Sequence, residues 1–235
     1  MNAALVSALL RQRLASPMRV FIVLALFLPP LGLATLTGTL APVLGGGYWF
    51  ALVLAAGAIG QDVSSGVLHL TFARPVTRNS YVLSRWFAAA AGGFALALVR
   101  LLMAAVLVSL RGATLDAATI SGALLEDAML ASVASALMVM LSAIINGLGD
   151  VAILAMSTIG LQVGHMVAGS KGWRLADRVT LELQHTIRPE LTFVWLAGHA
   201  GQPWSPYVTV ASTVTLALAI AILAVNRREL SYAAG

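Results

Sequence analysis

The chain has no cysteine, which excludes a disulfide framework, a thiolate nucleophile and Cys-ligated metal centres. It is also poor in charge. Asp, Glu, Lys and Arg together make up 10% of its 235 residues, against roughly 25% in a soluble domain. So few charges cannot clothe a water-facing surface. With 60% hydrophobic residues and a mean hydropathy of +0.92, the solvent for most of that surface must be lipid. Lysine is nearly missing: Lys171, in Gly169-Ser170-Lys171-Gly172, stands alone, and no Gly-Lys-Ser/Thr occurs. A P-loop needs that lysine on the phosphates, so ATP hydrolysis would have to come from another protein. No His-Glu-x-x-His is present, and His69, His165, His185 and His199 are scattered. His165-Met166 has some soft-metal character, but a polar contact between helices is the plainer reading. Ser135, Ser142 and Ser157 match a membrane serine hydrolase by residue type alone, and small residues in spans ordinarily serve packing. No catalytic set, metal site or bound cofactor is therefore expected.

What the chain does have is a succession of apolar runs of about 20 residues, the length that crosses a bilayer. They predict an all-α, polytopic membrane protein, a single transmembrane domain over residues 1–235. The six expected spans are 20–41, 44–60, 86–110, 128–145, 151–168 and 207–225. Pro29 and Pro30 should kink the first, since proline removes a backbone donor. Tyr48 and Trp49 read as an interfacial anchor for the second. Between the fourth and fifth, Asn146-Gly147-Leu148-Gly149-Asp150 forces a tight turn, with Gly147 suited to a helix C-cap and Asp150 to the next N-cap. No internal repeat is visible.

The net charge of +5 is spread between the apolar runs and forms no patch for nucleic acid. It reads instead as a topology signal. Arg11, Arg13, Arg19, Arg74, Arg78, Arg85, Arg227 and Arg228 fall on one side, and Arg111, Lys171, Arg174, Arg178 and Arg188 on the other. The balance puts both termini in the cytoplasm of a multi-pass protein of the inner (cytoplasmic) membrane. The first apolar run is long enough to span and follows an amphipathic leader, unlike a cleaved signal peptide. Residues 1–18 read as an interfacial helix, with Leu5, Leu9 and Leu10 apolar beside Arg11 and Arg13. In the extracytoplasmic segment 169–206, Leu175, Val179 and Leu183 repeat at i, i+4, i+8 next to Arg178 and Glu182, an amphipathic pattern that also predicts an interfacial helix.

Residues 61–85 form a cytoplasmic loop between the second and third spans. Asp62, Ser64 and Ser65 are helix-start residues. Val63, Val67 and Leu70 share one helical face, and Leu68 and Phe72 share another. Pro75 ends the helix, because the residue before a proline, Arg74, is pushed toward extended geometry. Thr77 or Asn79 can then cap the helix that becomes the third span. So short a rod with so much apolar surface either docks in a groove on a cytoplasmic partner or rests on lipid. The run Asp62, Gly66, Val67, Leu68, Ala73, Arg74, Pro75, Val76, Thr77, Arg78, Tyr81, Arg85 resembles the loop between the second and third spans of ABC-2 type transporter permeases. The tail Asn226-Arg227-Arg228-Glu229-Leu230-Ser231-Tyr232 is similar to that family's ending. The chain departs from the pattern in having a single acidic residue, Asp62, where many relatives carry several charges. The resemblance implies a permease subunit, most often of an exporter, in which Asp62, Val63, Gly66, Val67, Leu68, Leu70, Phe72, Arg74, Pro75 and Arg78 form a coupling helix. Its partners would be a cytoplasmic ATPase, which carries the ATP and Mg, and a second permease chain.

Charge within a span is costly and often functional. Arg100 lies in the outer half of the third span, and Glu126 and Asp127 open the fourth on the same side. Arg100 either pairs with one of these carboxylates beside a cavity or snorkels to the headgroups. Gln162 and His165 share a face of the fifth span. Arg100, Asp127, Gln162 and His165 are thus candidates for a translocation path. A secondary transporter would need ionisable groups near mid-membrane, where only Arg100 is close, and an intramembrane enzyme would need a converging catalytic set.

Overall fold

The computed structural model describes residues 3–66, 77–145, 147–189 and 205–227. Every regular element among them is helical: α1 (Ala3–Leu14), α2 (Pro17–Thr37), a 3-10 turn (Ala41–Val43), α3 (Gly46–Ala55), α4 (Gly60–Ser64), α5 (Arg78–Ser109), α6 (Ala117–Ile144), α7 (Gly149–Lys171), α8 (Arg174–Ile187) and α9 (Ser205–Arg227). Among the described residues, six segments are long and apolar enough to cross a membrane: 17–37, 41–64, 78–109, 117–144, 149–171 and 207–227. The sequence reading placed all six. The third helix starts eight residues before the expected Trp86, where the Thr77 side chain accepts from the Ser80 N–H (3.3 Å). The fourth likewise starts early, with Asp116 accepting from the Ala118 N–H (3.3 Å).

The second span is where fold and expectation part. It is not one helix but a 3-10 turn, α3, a break at residues 56–59, and α4. It is also the most enclosed span, 72% buried, whereas α2 is 17% and α7 11% buried. α3 therefore lies along the middle of the bundle, against α5 and α6. Small residues allow this: a Cβ on Gly93 of α5 would press on the Ala51 backbone of α3, and one on Gly47 of α3 would collide with the Asp127 backbone of α6. Close backbone approach of this kind gives dispersion contacts where lipid supplies no hydrophobic drive. Tyr48, 3% exposed, packs with Ala51, Leu130, Ala131 and Ala134. It is thus a core residue and not a headgroup anchor, while Trp49 remains 43% exposed.

α2 runs continuously through Pro29 and Pro30. α7 and α8 form an antiparallel hairpin: Asp177 faces Gly169, Thr180 faces Gly164, and Ile187 packs in the cluster that holds Leu154, near the start of α7. α8 thus doubles back along a span instead of lying apart from it. Its stripe of Leu175, Val179 and Leu183 is exposed, and no α8 residue is fully buried.

Candidate functional site

Breaking a helix inside an apolar bundle orphans backbone donors and acceptors, each costly unless partnered. The partners here are polar side chains drawn from across the chain, and they gather at the two ends of α3.

At its C-terminal end the chain turns at Gly57, whose φ of +63° is open to glycine. The Ala56 carbonyl accepts from Arg13 Nη1 (2.7 Å) and Arg19 Nη2 (3.2 Å), and the Gly57 carbonyl from Arg13 Nη2 (3.1 Å). Both arginines also donate to Gln61 Oε1. Cations are the right charge for the negative end of a helix dipole. The Gly57 N–H donates to Asp150 Oδ2 (2.8 Å), and the Ile59 and Gly60 N–H groups to Ser142 Oγ (2.9 and 2.8 Å). The Gly147 N–H closes the set on the Gly60 carbonyl (3.0 Å). Asp150 was expected to cap α7. The cap position is Leu148 instead, with no side-chain bond; Asp150 is fully buried inside the first turn, one oxygen accepting from the Val151 N–H (2.8 Å) while the other holds the break. Burial, then the neighbouring Arg19 and Arg85, pushes the Arg13 pKa down to about 10, with Asp62 pulling the other way. Arg13 stays charged at neutral pH.

One turn further on, the Asp62 carboxylate accepts from the Tyr81 hydroxyl and forms an ion pair with Arg85, which also lies over the Tyr81 ring (5.2 Å). Asp62 and Arg85 are 4% and 5% exposed. Asp62 therefore ties the end of the second span to the base of α5, in place of the helix-start role read for it. α4 ends at Ser64, and Gly66, at φ +72°, leaves the helix. The single rod expected from Asp62 to Phe72 is thus interrupted before Val67. Val67, Leu68, Leu70, Phe72, Ala73, Arg74 and Pro75 lie outside the described residues. Val63 packs on the core cluster of Ile59, Tyr81 and Val82. Arg78 donates to the Val225 and Asn226 carbonyls (3.2 and 2.8 Å) at the end of α9. A water-sized cavity between α1 and α5 is lined by Leu9, Leu10, Arg13, Leu54 and Arg85.

The N-terminal end of α3 is built in mirror fashion. Asp127, fully buried, accepts from the Gly47 N–H (2.8 Å), an anion at the positive end of the dipole. Arg100, 4% exposed, donates to the carbonyls of Val43 (2.6 Å) and Leu26 (3.0 Å) and lies over the Phe50 ring (4.9 Å). Leu26 is four residues before Pro30, so its carbonyl is the one that Pro30 cannot bond. Arg100 supplies the missing donor. Neither reading of Arg100 holds: it does not snorkel, and it forms no ion pair with Asp127 or Glu126 among the described residues. Arg100 and Asp127 instead grip the Gly45–Gly47 turn from two sides; a Cβ on Gly46 would strike the Arg100 guanidinium.

Gln162 and His165 do not join them. Gln162 is exposed on α7, and His165 Nδ1 lies 2.9 Å from Asp177 of α8. Sequence reasoning missed Arg13, Arg19, Gln61, Ser142 and Asp150 as one constellation. The available signal was Gly57 and Gly60 inside an apolar run, a mark of close backbone approach.

The described residues thus define the class: a multi-pass helical membrane protein with a discontinuous second span clamped at both ends of its main helix. No family model matches the chain, and no curated protein matches it.

Proposed function

We propose that the chain is the permease subunit of an ABC-2 type transporter, an exporter driven by a separate cytoplasmic ATPase and working as a pair of permease chains in the inner membrane, with both termini in the cytoplasm. The observation that carries this reading is the anchoring, within α4 and α5, of the residues that flank the loop joining these two helices. At one edge of the loop, Asp62 is locked to Tyr81 and Arg85 of α5, and Gln61 to Arg13 and Arg19. At the other, Arg78 grips the end of α9. A load applied to the loop by a soluble engine therefore reaches α1, α2, α5 and α9 through hydrogen-bonded charges, with little slack. The ABC-2-like residues of the loop and the lack of a P-loop point the same way. The first test is a search of the neighbouring genes for a P-loop ATPase, whose absence counts against the reading; the second is co-purification with that ATPase, and its stimulation, for wild type, Leu68→Asp and Arg74→Ala. Both variants should lose association and stimulation. Retention of both by both variants would overturn the docking role.

A second reading is favoured by the broken second span itself. Discontinuous helices flanked by buried charges are how secondary transporters build ion and substrate sites, and Asp127 and Asp150 supply such charges. Uptake or efflux by the reconstituted chain alone, driven by an ion gradient without any ATPase, would select this alternative.

A further inference from the structure

Arg188 follows α8 directly, its N–H donating to the Gln184 carbonyl (2.8 Å), and its guanidinium reaches back to the N-terminal end of α3. It lies 5.8 Å from the Tyr48 ring centre and 5.6 Å from that of Trp49. Those two rings meet edge to face at 86°, 5.4 Å apart, forming a corner with two π faces. Gly45, at φ +67°, leaves the corner open: a Cβ there would lie 3.5 Å from Arg188 Nη2 and 3.6 Å from Glu126 Oε1. Behind the corner, Glu126 Oε2 and Asp127 Oδ2 are buried with no hydrogen-bond partner among the described residues. Two carboxylates thus back an aromatic corner, and the nearby Arg100 is already spent on the Val43 and Leu26 carbonyls. Aromatic faces with a carboxylate are the chemistry that holds substituted ammonium and guanidinium cations. Arg188 fills this place without being built in. It is exposed, makes no ion pair within 4 Å among the described residues, and hangs on the helix with no buried residue.

We infer that the corner of Tyr48, Trp49 and Glu126 is a binding site for an organic cation of substituted ammonium or guanidinium type, and that Arg188 is its tethered occupant, displaced when ligand enters. The site needs no ATPase, so it stands or falls apart from the permease reading. The probe is tetramethylammonium chloride, titrated calorimetrically against a sodium chloride control into protein in phosphatidylglycerol nanodiscs. Arg188→Gln should bind it about tenfold more tightly than wild type, the scale of a desolvated cation–π contact, whereas Arg188→Lys should not. Adding Glu126→Gln to Arg188→Gln should remove the gain. No tightening in Arg188→Gln, or a gain that survives Glu126→Gln, overturns the site. Should Arg188→Gln fail to fold, wild type decides: the probe must shift its tryptophan emission and leave that of Trp49→Phe unmoved, and equal responses overturn the site. The same cation can come from solution or from a lipid headgroup. Weaker apparent binding of the probe in phosphatidylcholine nanodiscs assigns the site to a headgroup, and unchanged binding assigns it to a free solute.

Discussion

The two ends of α3 solve the same problem with different parts. At the N-terminal end, Arg100 and Asp127 are side chains from the middle of α5 and α6, long helices that α3 packs against throughout. At the C-terminal end, the partners come from α1, the first turn of α2, the first turn of α7 and, through Ser142, the last turn of α6. The first end is gripped by the scaffold. The second is gripped by the ends of elements, and it continues through Asp62 into the loop. A protein that must hold one end of a helix still while the other is moved would be arranged in this way.

Several substitutions break or sharpen that comparison. The largest effect is expected for Gly47→Val at the scaffold end. Its Cβ would collide with Asp127 backbone, which cannot swing aside as a side chain would, so a loss of about 3 kcal/mol or more should appear as failed expression or a collapsed thermal melt. Next is Asp62→Ala, which strands Arg85 in the interior and should cost about 3 kcal/mol by denaturant titration. Asp62→Leu combined with Arg85→Met should recover most of that stability while still uncoupling any ATPase, which separates the fold from force transmission. Arg100→Met leaves two carbonyls bare, at about 2 kcal/mol. In a Pro30→Ala background the cost should drop by about 1 kcal/mol, because residue 30 then has an N–H for the Leu26 carbonyl. An unchanged cost would show that Pro30 is not the reason for Arg100. Ser142→Ala removes one oxygen shared by two N–H groups of the break and should cost about 1–2 kcal/mol. The smallest effect belongs to the half-exposed pair on the α7–α8 hairpin, where His165→Gln should change stability by less than about 0.5 kcal/mol.

Some of this was legible in the chain. Of the two caps the sequence offers for α5, Thr77 and Asn79, Thr77 is the one used, because capping needs only the local sequence. The interruption of the second span was not read. Gly57 and Gly60 sit in a run whose hydropathy is uniform, and only the neighbours reveal why the backbone turns there. Asp150 reads as the N-cap of α7 but is not one: Leu148 holds the cap position without a side-chain bond, and one Asp150 oxygen goes to Gly57, 93 residues away. From its place in the chain, Arg100 reads as an ion-pair partner or a snorkelling charge. Its actual target is the Leu26 carbonyl freed by Pro30, 74 residues away along the chain, a pairing that no local pattern announces.

Composition and the lengths of the apolar runs determined that this protein is helical and carries six segments long and apolar enough to cross a membrane, because transfer of a side chain to lipid is nearly additive along the chain and a helix satisfies its own backbone. Tertiary structure alone decided where a span could break and which charges would repair it. An orphaned N–H or carbonyl can be satisfied by any donor or acceptor brought within about 3 Å, and which one arrives depends on how the helices pack.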